Sequence, residues 1–230
     1  MGEEQEEGAM GMPALPLPSR KPFRFFSVPK SASGGASVRS MQPRLMFGVD
    51  IENFSGRASG MQEDAQWNLA QVLNRAALAT GIDPRRWLLQ PGGDGALIVL
   101  PEGLDYARTV GRLPANLERE LARIARLGRP GPRLRLRLAF HYGVIVTHPV
   151  SPFGPAGDAV VQVRRLVDAD PVRRLLDERP GRDLALIVSD AIYRDVVASG
   201  LCELSGADFR RVDLTIKKRD YHGHLHEPSG

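Results

Sequence analysis

The chain has 230 residues, 42% of them hydrophobic, which is enough for one globular domain with a buried core. Its net charge is +4, from 31 basic and 27 acidic residues, and this small excess argues against a polybasic protein that binds nucleic acid. A single cysteine, Cys202, excludes an internal disulfide and a cysteine-based zinc site. The sequence has no apolar run as long as a membrane span, and the acidic start MGEEQEEGAM is unlike a secretory signal. We therefore expect a cytoplasmic protein without membrane insertion.

Residues 1–43 are rich in Pro, Ser and Gly and have no sustained hydrophobic period, so they predict a disordered tail. This tail contains the stretch RKPFRFF. Its aromatic residues, Phe23, Phe25 and Phe26, either dock on a partner or on the domain, or belong to a solvated linker. The pattern changes at Arg44, and we place the folded domain at residues 44–230.

Hydrophobic periodicity divides this domain into strands and helices. In chain order, the stretches that predict strands are RLMFGVDI, RWLLQ, ALIVLP, PRLRLRLAFHYGVIV, LALIVSD, FRRVDLTI and YHGHLH. The stretches that predict helices are MQEDAQWNLAQVLNRAALAT, NLERELARIARL, GDAVVQVRRLVDA and DAIYRDVVAS. The fourth strand stretch is interpreted as a half-exposed strand entering a buried one, so the predicted order is βαββαββαβαββ. Hairpins mixed with β-α units predict an α+β fold, a ferredoxin-like core with additions, whose helices pack largely on one face of the sheet.

Three arginines, Arg133, Arg135 and Arg137, alternate with leucines and therefore share one face of a strand. They either bind phosphates or form a solvated sheet face. At the end of the chain, HGHLH places three histidines on one side of a strand, where they either hold Zn²⁺ or are exposed on an edge strand. These histidines are His222, His224 and His226. We expect His141, in the interior strand, to be a core histidine with a hydrogen-bond partner.

Two aspartates stand where strands end. Asp50 closes the first strand, and Asp94 lies in the glycine-rich turn PGGDG of the following hairpin. In a ferredoxin-like core this hairpin pairs beside the first strand, so the two carboxylates could converge and bind Mg²⁺ or Mn²⁺. The adjacent ENFSG offers backbone N–H groups for phosphate at a helix N-terminus. In the alternative interpretation, Asp50 caps a helix and Asp94 serves the turn.

An ordered set of motifs resembles the class III nucleotidyl cyclases. FGVDIENFS is similar to their first metal motif, F-D-I-x-G-F-S/T, and GGDG to their second. LRLRLAFHYGVIV is similar to the strand ending in I-H-x-G, GPAGDAVVQVRRLVDA to G-D-x-V-N-x-A-x-R-L, LALIVSDAIYRDV to the late strand-helix unit, and VDLTIKKRDYHGHLH to the closing strand pair. GGDG also resembles the diguanylate cyclases, but their downstream Glu-Phe is absent. The resemblance covers residues 44–226.

This resemblance implies a cyclase-type ferredoxin-like βαββαβ core with an added C-terminal strand-helix unit and strand pair. It also implies a homodimer whose active site forms across the subunit interface and converts a nucleoside triphosphate to a 3′,5′-cyclic nucleotide and pyrophosphate. Asp50 and Asp94, with Ile51, would hold two Mg²⁺ or Mn²⁺ ions per active site. One ion would lower the pKa of the ribose 3′-hydroxyl, and the other would bind the triphosphate.

The same resemblance assigns roles to further residues. The backbone N–H groups of residues 51–55 would cradle the phosphates. Arg165 would stabilise the transition state, and Lys217 would contact the polyphosphate from the partner chain, unless either is an ordinary surface cation. The expected substrate-binding residues are Asn53, Phe54, Ser55, Gln90, Gly93 and Val161.

The departures from the family pattern concern ribose and base. Val161, with Gln162 beside it, replaces the asparagine that positions the ribose, and Gln90 stands where adenylyl cyclases have lysine. SPFGPAG lacks their acidic or polar base reader, and the glutamate of guanylyl cyclases is also missing. Because an amide both donates and accepts, Gln90 would suit uracil or cytosine as readily as a purine. The chain is similar to the bacterial pyrimidine cyclases of antiphage defence, which have this core but depart from its purine-reading residues. The sequence thus predicts a cyclic UMP or cyclic CMP synthase with an unidentified downstream effector, or else a degenerate homologue that binds nucleotide without turnover.

Overall fold

The computed structural model describes residues 39–128, 132–148, 153–216 and 219–228. One sheet of seven strands has the order β2-β3-β1-β4-β5-β7-β6. Its strands are β1 (Ser40–Ile51), β2 (Leu88–Pro91), β3 (Gly95–Val99), β4 (Leu136–Thr147), β5 (Leu184–Ser189), β6 (Phe209–Ile216) and β7 (Arg219–His226). Its helices are α1 (Ser59–Thr80), α2 (Tyr106–Arg126), α3 (Asp158–Val167), α4 (Asp170–Glu178) and α5 (Asp190–Ile192), which continues as a π-helical turn, Tyr193–Val197.

The predicted α+β class is confirmed. Strand β1 is central and runs antiparallel to β3 and β4, β4 runs parallel to β5, and β6 and β7 form the closing pair. The predicted break inside the fourth strand stretch is wrong, because β4 is one continuous strand. Strand β1 begins at Ser40 rather than at Arg44. The rest of the predicted tail, with its three phenylalanines, lies outside the described residues.

Helices cover both faces of the sheet, which corrects the expectation that they pack largely on one. Phe47 and Val49 of β1 belong to the core formed with α1, α2 and α5, whereas Met46 belongs to the core under α3 and α4. The reason lies in β1 itself, since its apolar residues are consecutive and a strand that is apolar on both faces needs cover on both. Asp50 follows Met46 and Gly48 in the strand alternation, so it projects from the α3 face.

The helix predictions located the buried faces better than the ends. The expected core positions of α1 (Leu69, Val72, Leu73 and Ala76) and of α2 (Leu117, Leu121 and Ile124) are all buried. Helix α2, however, starts at Tyr106 and runs through Pro114, and α4 was not predicted. Gly111 lets α2 pack closely against the segment at Glu203, because a Cβ there would lie 3.1 Å from the Glu203 backbone nitrogen, a tight contact. Among the described residues, none of the helices is long and apolar enough to span a membrane.

Candidate functional site

Asp50 lies near the end of β1, and Asp94 lies in the turn between β2 and β3, directly before the first residue of β3. Asp50 faces Gly95 across β1 and β3, and the Ile51 N–H donates a 2.8 Å hydrogen bond to the carbonyl oxygen of Asp94. A Cβ on Gly95 would lie only 2.0 Å from the carbonyl oxygen of Val49. Glycine is therefore required where the hairpin meets β1. The β1–β3 pairing places the backbones of Asp50 and Asp94 next to each other. Metal binding by their carboxylates, which would supply hard oxygen ligands, stays a prediction.

Asp50 has a partner that sequence analysis did not identify. Arg137 of β4 is its opposite residue in the β1–β4 register, and the two side chains form an ion pair. Both are largely buried, with 13% of the Asp50 side chain and 11% of the Arg137 side chain exposed. Burial lowers the pKa of Arg137, and Arg173 lowers it further, while Asp168, 3.8 Å from Arg137, raises it. Only the strand register, absent from any local motif, could have revealed this pair.

The other two arginines of the stripe are also engaged. Arg133 pairs with Asp183 at 2.6 Å, and Arg135 pairs with Glu52 at 2.8 Å. The Arg135 side chain is only 16% exposed. Its guanidinium also donates to the carbonyl oxygen of Leu176 in α4 and to those of Arg179 and Arg182 in the turn that follows. The interpretation as a solvated face is therefore wrong for Arg135 and Arg137, because α4 and the following turn cover this part of the sheet.

The loop after β1 presents free amides. Asn53 has a left-handed backbone with φ of 49°, and in the described part of the chain the N–H groups of Asn53, Phe54 and Ser55 donate no hydrogen bond. Successive free amides in a turn form a concave site for anions. The N–H of Ile51 is bound to Asp94, and that of Glu52 to the carbonyl of Arg135. Of the N–H groups of residues 51–55, which were expected to bind the phosphates, only the last three are therefore free. They lie before the first residue of α1, Ser59.

Gln90 meets the segment in which a base reader was expected. Its Nε2 donates a 2.6 Å hydrogen bond to the carbonyl oxygen of Phe153, and a Cβ on Gly154 would lie 3.5 Å from the Gln90 amide carbon. The Gln90 Oε1 is buried and has no partner among the described residues. Val161, on α3, is 39% exposed. Gly93 faces open space in the turn, and its carbonyl accepts a hydrogen bond from a glutamine of α1.

Arg165, on α3, is directed towards β7. Its guanidinium sits over the ring of Tyr221, 5.2 Å from the ring centre. Tyr221 belongs to β7, which is separated from β1 by β4 and β5 in the sheet. Lys217 lies outside the described residues.

The histidines of HGHLH have separate partners. His222 contacts Asp213 at 2.7 Å, His224 contacts Asp190 at 3.2 Å, and His226 packs on Phe209. Within the described ranges, no three His, Cys, Asp or Glu side chains are grouped so that they could hold a metal ion. The zinc hypothesis is therefore wrong, and so is the edge-strand alternative, because β7 lies between β5 and β6.

His141 is a core residue, as expected, but not a satisfied one. It is 6% exposed, and its Nδ1 has no hydrogen-bond partner in the described structure. Burial lowers the pKa of His141 to about 4, so the ring is neutral at pH 7.

No protein-family model and no curated protein matches the chain. Solved structures do. The adenylate/guanylate cyclase/hydrolase from Silicibacter pomeroyi is 14% identical, with a TM-score of 0.56 over 84% of this chain and 100% of the other. The guanylate cyclase domain of RhGC from Catenaria anguillulae, in complex with GTP, is 18% identical, with a TM-score of 0.52 over 81% and 97%. The adenylyl cyclase CyaB from P. aeruginosa is 14% identical, with a TM-score of 0.51 over 84% and 97%. The chain has the fold of the class III adenylyl and guanylyl cyclase catalytic domains.

Proposed function

We propose that this chain is a nucleotidyl cyclase that converts a nucleoside triphosphate to a 3′,5′-cyclic nucleotide and pyrophosphate. The observation that supports this most directly is the adjacent placement of Asp50 and Asp94 on β1 and in the β2–β3 turn of a cyclase-type sheet. In this reaction the ribose 3′-oxygen forms a bond to the α-phosphorus and loses its proton, while the bond from the α-phosphorus to the bridging oxygen breaks and pyrophosphate leaves.

The donor set fits Mg²⁺ or Mn²⁺, because a carboxylate near the end of β1 and another in the adjacent β2–β3 turn are the oxygen ligands that these ions prefer. Asp50 and Asp94, with Ile51, would hold two such ions. Bound there, divalent cations would neutralise triphosphate charge and acidify the 3′-hydroxyl. Arg137 provides a positive charge next to Asp50 and could transfer its contact to a phosphate oxygen.

The remaining residues bind and orient the substrate in this proposal. The free amides of residues 53–55 and the open turn at Gly93 receive the triphosphate. Arg165 meets the charge that spreads over the phosphoryl oxygens, and Lys217 contacts the polyphosphate. Because Arg165 lies over β7 and the aspartates lie at β1, an Arg165 from a second subunit would complete the site. The arrangement therefore favours a homodimer with the site at the interface.

A pyrimidine base is slightly favoured. Gln90 uses its amide nitrogen on the Phe153 carbonyl, so its oxygen is left to accept a hydrogen bond. The N4 amino group of cytosine or the N3–H of uracil could supply that donor. The purine-reading residues of the family are absent, and Val161 replaces the asparagine that orients the ribose. A cyclic UMP or cyclic CMP product in antiphage signalling agrees with these departures.

The test is to incubate the purified full chain with Mn²⁺ or Mg²⁺ and each of ATP, GTP, CTP and UTP, and to identify products by mass. One cyclic monophosphate is expected, and Asp50→Ala and Asp94→Ala should abolish it. Asp94→Ala should barely change stability, since the contact to Ile51 uses the Asp94 backbone. Asp105→Ala is the control: its carboxylate caps α2 through the Arg108 N–H, so it should lose about 1 kcal/mol of stability but keep turnover.

A second function, nucleotide binding without turnover, is favoured by two observations. The Arg137 guanidinium forms an ion pair with the Asp50 carboxylate. Val161, an aliphatic residue, stands where the family has the asparagine that positions the ribose. A folded protein that binds a triphosphate but forms no product from any of the four would establish this alternative.

A further inference from the structure

Side-chain donors bind the carbonyl groups of the loop after β1 and thereby orient the free N–H groups of the same peptides. In a trans peptide the C=O and the following N–H point in opposite directions, and the described residues contain only trans peptides. The carbonyl of Glu52 shares its peptide plane with the N–H of Asn53, and the carbonyl of Phe54 shares its plane with the N–H of Ser55. A donor that holds either carbonyl from inside the protein therefore turns the paired amide outward.

Arg57 is one such donor. Its Nη2 contacts the carbonyl oxygen of Glu52 at 3.4 Å and that of Arg133 at 3.1 Å, and its Nη1 contacts that of Pro132 at 3.1 Å. Arg57 is 9% exposed, and its guanidinium thus ties the loop to the segment that enters β4. Burial lowers the pKa of Arg57, and Glu52 opposes that effect. An arginine in a loop would ordinarily extend into solvent, so the inward direction needs an explanation.

Gln62 of α1 is the second donor. Its Nε2 contacts the carbonyl oxygen of Phe54 at 3.4 Å and that of Arg57 at 3.1 Å. The same Phe54 carbonyl accepts the backbone N–H of Arg57 at 3.1 Å, which closes a turn over residues 54–57. The loop carbonyls are thus bound on the inner side, and the amides of Asn53 and Ser55 are left on the outer side.

We infer that Arg57, with Gln62, is a positioning residue that preorganises the loop amides to receive the polyphosphate, an inference that rests on the proposed function. Neither side chain touches the anion in this arrangement. Each side chain fixes one peptide plane, so the amides are already ordered in the free protein. Substrate binding then does not lose the conformational entropy of ordering them.

Inorganic tripolyphosphate is the probe that tests this without requiring turnover. Its affinity for the full-length chain, measured by calorimetry in Mg²⁺, should weaken about tenfold in Arg57→Leu, the loss expected when one or two amide donors turn away. Arg75→Leu removes an equal charge from an exposed position of α1 and should bind like the wild type. Arg57→Lys should be intermediate, because one ammonium cannot hold carbonyls from both segments. Hydrogen exchange of amides 53–55 should change in Arg57→Leu and stay as in the wild type in Arg75→Leu.

The outcomes separate this inference from the proposed function. Weaker tripolyphosphate binding in Arg57→Leu, with no cyclic product from the wild type, would reject the cyclase and keep the positioning role. A lower melting temperature with unchanged tripolyphosphate affinity would show that Arg57 is structural only and overturn the inference. A wild type that does not bind tripolyphosphate would also overturn it. If Arg57→Leu does not fold, Gln62→Met, which removes only the second donor, should show a smaller loss of affinity.

Discussion

Asp50 and Gly95 are cross-strand partners at the meeting point of β1 and the β2–β3 hairpin, and no side chain fits at the second of these positions. A Cβ at residue 95 would lie 2.0 Å from the Val49 carbonyl oxygen and 2.8 Å from the Asp50 Cα. Gly95→Ala should therefore separate β1 from β3 and cost about 3 kcal/mol of unfolding free energy or more, measured by urea denaturation.

Gly93→Ala is the matched control for that prediction. Gly93 lies two residues away in the same turn, has no positive φ, and has no atom within 4 Å of an added Cβ. The free energy of unfolding of the Gly93→Ala variant should stay near that of the wild type. Equal losses in the two variants would mean that the turn is generally sensitive and that the close approach at Gly95 is not the cause.

Arg137→Gln should destabilise the metal-free protein because it leaves the largely buried carboxylate of Asp50 without its counter-charge. The expected loss is about 3 kcal/mol in chelator, measured by urea denaturation. Added Mn²⁺ should restore stability more in this variant than in the wild type, since a cation can replace the guanidinium. Arg211→Gln, which breaks an exposed pair with Asp213, should change little. If the Arg137→Gln variant had the same free energy of unfolding as the wild type, the ion pair would contribute nothing to the stability of the fold.

Gln90→Ala should change the preference among nucleoside triphosphates, because it removes both the amide oxygen left to accept from the base and the donor that holds the Phe153 carbonyl. The measurement is kcat/KM for CTP, UTP, ATP and GTP in parallel. Arg164→Ala, at an exposed position of α3, should leave the ratios unchanged. If Gln90→Ala lowered all four values by one factor, Gln90 would serve the loop and not the base.

We expect the buried His141 to lower the free energy of unfolding as the pH decreases. Its pKa is about 4 in the fold, below the ordinary 6.5, so between these values the unfolded chain binds more protons than the folded one. Stability is therefore lost as pH falls from 6.5 to 4. Relative to His141→Leu, the wild type should lose about 3 kcal/mol over this window. Urea denaturation at pH 7 and pH 4.5 measures it. His222→Leu, at an exposed position, is the matched control: it retains His141 and should keep the pH dependence of the wild type. Parallel curves for the wild type and His141→Leu would contradict the assignment.

Local pattern was sufficient for some elements and misleading for others. Strand β6 lies where FRRVDLTI placed it, and the buried faces of α1 and α2 follow the predicted spacing. The start of α2 was missed because Gly111 and Pro114 resemble helix ends. Packing against the segment at Cys202 and Glu203 favours the glycine, and the buried Pro114 is retained within the helix. No local rule contains that information.

The sequence alone was enough to predict the α+β class and the pairing of the glycine-rich hairpin beside the first strand, because such a hairpin has few ways to pair in such a core. Only the tertiary structure decided the partners of the charged and amide groups. Arg137 on Asp50, Arg57 on the carbonyls of residues 132 and 133, and Gln90 on Phe153 join positions 87, 75, 76 and 63 residues apart in the chain. Such contacts depend on strand register and on which turn covers which face. A shift of one residue in the pairing of β4 with β1, for example, would move Arg137 to the opposite face of the sheet.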